Sequence, residues 1–309
     1  MTMTHPPRLV TAIATPFGED GLPDPALFVA HAKALLAEGS DLLAVFGSTG
    51  EGPSLTTCEK QHLLEALAKG GVPAANLYVG AGSCSVVEAA ALARFAAQFG
   101  VAGTLLPPPY YYKPVEADGV IAFYSTFVDL VADPRLKLVL YNYPQMTGVD
   151  ITLDLAGRLY ERLPGLVTGY KDSSGKLEDT VRIARALPNL AVYTASEALV
   201  IDHMRGGGAG CFSGSANISA AAIRALLDAF VSDSPRLDAQ LAHVKALRGA
   251  IQAPGLIPAV KALLAHTRAD GAWRRLREPL MPLADSVALP LWNNIVALRT
   301  AAAEAGLVG

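Results

Sequence analysis

The sequence predicts a (β/α)8 barrel carrying a C-terminal helical extension. Short apolar, β-rich runs recur eight times at intervals of roughly 30 residues, each followed by a helical stretch. The runs are apolar almost throughout rather than alternating, as parallel strands covered on both faces must be. After about Ser219 the strand-like runs stop, and the rest is helical and rich in Ala and Leu. A doubly wound sheet is the rival architecture at this level.

The elements follow in order. Leu9–Ala14 reads as a strand, and Pro25–Ala37 as the helix after it. Leu42–Phe46 precedes Thr57–Lys69, and Leu77–Val79 precedes the Ala-rich Val86–Phe99. Gly103–Leu106 leads into Glu116–Val131, and Leu138–Tyr141 into Leu153–Leu163. Leu166–Lys171 precedes Leu177–Ala186, Ala191–Tyr193 precedes Ala198–Arg205, and Gly210–Phe212 is the eighth strand. Helices over Ala220–Phe230, Leu237–Ile251, Ile257–Thr267 and Pro290–Ala305 follow. We place the barrel at 1–232 and the extension at 233–309, packed on it because no linker-like segment divides them.

Composition narrows the function classes. Of 309 residues, 51% are hydrophobic, enough for a large core. The balance of 25 Lys+Arg against 28 Asp+Glu leaves no basic excess for a phosphate backbone, which disfavours nucleic acid. Apolar runs are broken by charge, Pro or Gly before they could span a bilayer, and residues 1–8 lack the layout of a signal peptide. Three cysteines without a C-x-x-C suit a reducing compartment, so a cytoplasmic protein is expected. The six histidines are scattered without ligand spacing, so no metal is expected. Gly206-Gly207-Gly208-Ala209-Gly210 resembles a phosphate loop, but it joins a helix to the start of a strand and lacks the Gly-Lys-Ser/Thr ending. It reads as a turn.

In such barrels the chemistry sits at the C-terminal ends of the strands. Strand six closes with Gly169-Tyr170-Lys171-Asp172. A lysine in an apolar barrel mouth loses hydration, its pKa falls, and the neutral amine can attack a ketone to form an imine. The alternative is a solvated lysine paired with Asp172. Strand five closes with Tyr141-Asn142-Tyr143-Pro144, which puts Tyr141 beside Lys171 as a possible proton relay or, alternatively, a core tyrosine. Strand two runs into Gly47-Ser48-Thr49-Gly50-Glu51, whose backbone N–H groups and hydroxyls suit an anion as well as an ordinary loop. Strand four runs into three prolines and Tyr110-Tyr111-Tyr112, a rigid aromatic loop suited to protein contacts. Glu197, near the end of strand seven, is either an acceptor for substrate hydroxyls or a helix-start acid.

Taken together, Gly47-Ser48-Thr49-Gly50-Glu51, Pro109-Tyr110-Tyr111, Tyr141-Asn142-Tyr143-Pro144 and Gly169-Tyr170-Lys171-Asp172 resemble the motifs of the dihydrodipicolinate synthase / N-acetylneuraminate lyase family. The resemblance covers nearly the whole chain. It implies a pyruvate-dependent Schiff-base lyase with no metal or other cofactor, with Lys171 forming the imine and Tyr141 relaying protons. It implies that Ser48 and Thr49, with Gly47, bind the carboxylate of the 2-oxo acid. It implies that Tyr111 completes a hydroxyl relay with Tyr141 and Thr49 across a dimer interface, within a homotetramer.

One position departs from the synthase pattern. Where the resemblance calls for an arginine that holds the second carboxylate, this chain has Met146. A thioether cannot replace a charged, bidentate donor. The motifs are more similar to the 2-keto-3-deoxy sugar acid aldolases, so the expected reaction joins or releases pyruvate and an aldehyde. A synthase, a 2-keto-3-deoxy acid dehydratase and a non-catalytic oxo-acid-binding protein are the alternatives. Phe212 makes the end of strand eight bulky and bears on pocket shape.

Overall fold

The computed structural model describes residues 5–308, so residues 1–4 of the stretch read for a leader, and residue 309, lie outside it. The barrel strands are β1 (Arg8–Ala12), β2 (Leu42–Val45), β3 (Leu77–Gly80) and β4 (Gly103–Leu106), then β5 (Leu138–Asn142), β6 (Val167–Asp172), β7 (Ala191–Thr194) and β8 (Gly210–Ser213). Each pairs in parallel with the next, and β8 pairs with β1, which closes the sheet into a barrel. The predicted (β/α)8 architecture is therefore the one observed.

Around it lie α1 (Pro25–Ala37), α2 (Thr57–Lys69), α3 (Val86–Ala97) and α4 (Ala117–Val131). The short α5 (Pro144–Thr147) precedes α6 (Leu153–Arg162), α7 (Leu177–Ala186), α8 (Val200–Arg205) and α9 (Ala216–Val231). The starts are written in the sequence. Asp24 caps α1 with Pro25 in the first turn, Thr56 and Glu59 form a reciprocal capping box on α2, and Ser85 and Thr152 cap α3 and α6.

The extension comprises α10 (Leu237–Gln252), α11 (Leu256–Thr267) and α12 (Asp285–Glu304). α10 packs on α9, and α11 and α12 pack on α10 and on each other. Two starts differ from expectation. α12 begins five residues before Pro290, which sits inside the helix, because a proline in the second turn removes only one backbone donor. α9 begins before Ala220 because two helical pieces join across a kink at Ser219.

Two apolar layers hold the molecule together. A small cluster including Val10, Leu105, Val139, Tyr193 and Phe212 fills the barrel interior, and a larger one lies between strands and helices. Strand alternation sorts residues between them: Val139 and Tyr141 belong to the interior, whereas Leu138 and Leu140 belong to the outer layer. The glycine-rich stretch forms the turn into β8. A Cβ at Gly210 would come within 2.1 Å of the Arg8 carbonyl, and its φ of +122° also demands glycine. No helix among the described residues is long and apolar enough to cross a membrane.

Candidate active site

Lys171 and Tyr141 are register partners on neighbouring strands β6 and β5. The same alternation sends Lys171 inward and Asp172 outward. Asp172 accepts hydrogen bonds from the Asn142 amide at 2.9 Å, the Ser174 hydroxyl at 2.8 Å and the Thr180 hydroxyl at 3.0 Å. Lys171 is therefore neither solvated nor paired with Asp172, as the alternative sequence reading had it. Its Nζ lies 4.1 Å from the centroid of the Tyr141 ring and 4.4 Å from that of Phe212. Removal from water lowers the Lys171 pKa to about 7, against an ordinary 10.5. The aromatic faces favour an ammonium above them, but they do not replace its lost hydration.

The Tyr141 hydroxyl lies 3.3 Å from the Ser48 hydroxyl. Burial pushes its pKa up, and hydrogen bonds with Ser48 and Ser173 oppose that shift. The phenol is therefore neutral near pH 7 and carries a proton it can lend.

The loop after β2 is folded tightly on itself. Phe46 and Glu51 adopt left-handed backbone conformations, with φ of 61° and 54°. The Glu51 N–H donates to the Ser48 carbonyl, the Gly52 N–H to the Gly47 carbonyl, and the Thr15 hydroxyl to the Gly50 carbonyl. A Cβ on Gly52 would lie 1.9 Å from the Phe46 carbonyl oxygen, so the turn needs glycine there. Thr49 is buried and approaches β8 closely: a Cβ on Gly214 would meet its Oγ1 at 2.7 Å.

A cavity of about 360 Å³ opens here. It is lined by Gly47, Ser48, Tyr141 and Met146 among the expected residues, and by Tyr110, Tyr143, Ile257 and Leu280 as well. Ile257 and Leu280 come from the extension, and nothing in their spacing marks them. No lysine or arginine lines this cavity. Tyr143, also part of its wall, borders a second cavity of about 400 Å³ at the ends of β6 and β7. That space is polar, with Ser173, Thr194, Ser196, Gln145, Gln252 and Arg248 on its walls.

Of the other expected residues, Lys171, Thr49, Phe212, Glu197 and Tyr111 are not on the wall of the first cavity. Lys171 and Thr49 lie beside it, through Tyr141 and the β2 loop, whereas the next two stand apart. Glu197 is fully buried, and its carboxylate accepts from Arg248 at 2.5 Å and from the Ser215 hydroxyl, so it is not free for a substrate hydroxyl. Its sequence neighbourhood pointed to a helix start, but the partner lies 51 residues away on α10. Tyr111 is 75% exposed and lies outside both cavities; it packs edge-on against Tyr112. Phe212 lies inside the barrel, its ring against Lys171, and is on the wall of neither cavity. Among the described residues, no group of three or more His, Cys, Asp or Glu could hold a metal ion.

Comparison with known proteins identifies the family. Residues 5–297 match the model of the dihydrodipicolinate synthetase family. The chain belongs to that family. It is 33% identical to a 4-hydroxy-tetrahydrodipicolinate synthase from Synechococcus over 94% of this chain and 95% of that protein. Dihydrodipicolinate synthase from Agrobacterium tumefaciens superposes with a TM-score of 0.85 at 32% identity, covering 94% of this chain and 99% of that one. A variant of 2-keto-3-deoxygluconate aldolase from Sulfolobus solfataricus superposes with a TM-score of 0.87 at 24% identity, covering 98% and 99%, a likeness of fold. Membership of the dihydrodipicolinate synthetase family makes this chain a carbon–carbon lyase of the class I, Schiff-base type.

Proposed function

We propose that this family member is an aldolase that joins pyruvate to an uncharged hydroxyaldehyde, or cleaves the resulting 2-keto-3-deoxy sugar acid, through an imine on Lys171. The observation that carries the substrate choice is the lining of the 360 Å³ cavity, which offers no cation to a second carboxylate. Met146 stands where a charged donor would be needed, and the nearby Arg248 is already neutralised by Glu197. A carboxylate taken from water without a cationic partner is costly. The hydroxyl and amide groups of the adjoining polar cavity suit a hydroxylated tail instead.

The chemistry follows from the groups present. The neutral Lys171 amine attacks C2 of pyruvate, and water leaves as the imine forms. The protonated imine draws electrons from C3, which loses a proton to give the enamine. The enamine attacks the aldehyde carbon, and the new alkoxide takes up a proton. Water then releases the product and restores the amine. Tyr141 sits beside the nitrogen and moves the protons. Ser48 and Thr49, together with the Gly47 backbone, hold the carboxylate and fix which face of the enamine is open.

The relatives named as synthases support the second reading, condensation with aspartate semialdehyde, at about one-third identity. Borohydride reduction with pyruvate, followed by peptide mass mapping, tests the imine: label on Lys171 is expected, and label elsewhere or none overturns the mechanism. Product analysis separates the reactions. Pyruvate released from a 2-keto-3-deoxy sugar acid marks the aldolase. Loss of water without pyruvate marks a dehydratase, and binding without turnover marks a non-catalytic protein.

A further inference from the structure

A cleft of about 650 Å³ lies in the helical layer, between the end of α1, the kink of α9, the end of α11 and the face of α12. It shares no lining residue with the two cavities at the barrel mouth. Its walls carry Arg268, Arg299, His266, Trp292, Thr267 and Glu38.

The charges there do not balance. Glu38 pairs with Arg268 at 2.8 Å. Arg299 donates one N–H to the Ile218 carbonyl at the kink, at 2.5 Å, and among the described residues no carboxylate lies within 4.0 Å of it. Two guanidiniums thus stand at the cleft with one carboxylate, which pairs with Arg268 alone. Each also has an Nε–H that is out of water and without an acceptor, and such groups are rare in folded proteins. Burial first, and the Arg299 guanidinium second, hold the neighbouring His243 below its ordinary pKa, and His31, near Arg268, is lowered mainly by burial too, so neither histidine adds a cation. Two half-desolvated guanidiniums match an oxyanion with several acceptors. Beside them, His266 and Trp292, both on the cleft wall, stack with ring centroids 5.1 Å apart and planes 10° from parallel.

We infer that this cleft is a binding site for a small phosphate ester with a planar body, its phosphate between Arg268 and Arg299 and its body against Trp292. The site is separate from the lyase chemistry and does not depend on the substrate proposed above.

Phenyl phosphate is a suitable probe, and Trp292 emission reads binding locally; the only other tryptophan, Trp273, is buried. Saturable change with phenyl phosphate is expected, and phenol alone should give none. The change should vanish in Trp292→Phe. Arg299→Met should weaken binding by about 10- to 150-fold, the range for a lost hydrogen bond to a charged group. Arg268→Gln should weaken it too. Should Arg299→Met not fold, Arg299→Lys keeps the charge and loses the fork, and at least several-fold weakening is expected. Absence of a saturable change in the intact enzyme, or affinity unaltered in both arginine variants, would overturn the site. Equal affinity for inorganic phosphate would overturn the planar body.

Discussion

Glu51 and Lys261 meet at 2.7 Å with both side chains fully buried. The contact ties α11 of the extension to the loop that presents Ser48 and Thr49. A second tie runs from the Arg277 backbone N–H to the other Glu51 oxygen at 2.9 Å. The extension thus braces this loop as well as lining the cavity. Removing one partner leaves a buried charge unpaired, at a cost of about 3–5 kcal/mol. Lys261→Met and Glu51→Gln should each destabilise by that order in denaturant unfolding. The double substitution should cost clearly less than their sum. Additive losses would show that the pair does not couple the two parts.

The lowered pKa of Lys171 sets a pH dependence. The unfolded lysine holds its proton up to about 10.5, whereas the folded one releases it at about 7. Between these values the unfolded chain binds more protons, so this group's contribution to stability rises with pH across that window. The neutral amine of the folded chain becomes available at the lower end of that window. Reductive trapping of pyruvate on Lys171 should therefore rise through a midpoint near pH 7. A midpoint near 10 would mean that the amine is not desolvated in solution.

Tyr141→Phe removes one hydroxyl and keeps the ring beside Lys171. Proton transfer by a positioned group contributes about 10²–10⁴-fold, and kcat should fall by that order. Trapping of pyruvate on Lys171 should survive, only slower. An unchanged kcat would return Tyr141 to the role of a core tyrosine.

Most of the barrel was legible because parallel strands must be apolar along their length, and caps such as Thr56 with Glu59 mark where helices begin. The pairing of Lys171 with Tyr141 followed from the neighbouring places of strands five and six. What stayed hidden depends on distant chain segments. Glu197 meets Arg248 across 51 residues, and Glu51 meets Lys261 across 210. No local pattern announces either contact. Ile257 and Leu280 reach the cavity for the same reason, through the docking of the extension. Pro290 misled the reading because proline is common in the first turn of helices and is less often carried inside one.

The exposed Tyr111 gives a test of assembly. A large aromatic side chain 75% in water, on a loop stiffened by three prolines, suits burial by a second copy of the chain. Should it complete the site of a neighbouring subunit, Tyr111→Phe loses rate, though less than Tyr141→Phe. Chains carrying Lys171→Ala and chains carrying Tyr111→Phe, mixed within one oligomer, should then recover part of the activity. No recovery after verified mixing would place Tyr111 outside the shared chemistry.

The proposed choice of aldehyde turns on Met146. Its side chain is 65% exposed at the rim of the 360 Å³ cavity, close to where an incoming aldehyde must pass. The neighbouring Gln145 amide donates one N–H to the Ser174 carbonyl at 2.9 Å and is neutral, so it supplies no charge to a second carboxylate. Aspartate semialdehyde should therefore be a poor partner for pyruvate, and glyceraldehyde a better one. Met146→Arg puts a cation at the rim without disturbing packed groups, because the position is open to solvent. A hydrogen bond to a charged group contributes about 1.5–3 kcal/mol, so kcat/KM for the acidic aldehyde should rise by roughly 10- to 150-fold relative to glyceraldehyde. The comparison is made with both aldehydes on both proteins. A native chain that already prefers aspartate semialdehyde would require a cation from another place. Arg248, freed from Glu197, is the side chain at the mouth able to supply it. In that case Arg248→Gln, rather than Met146→Arg, would change the preference.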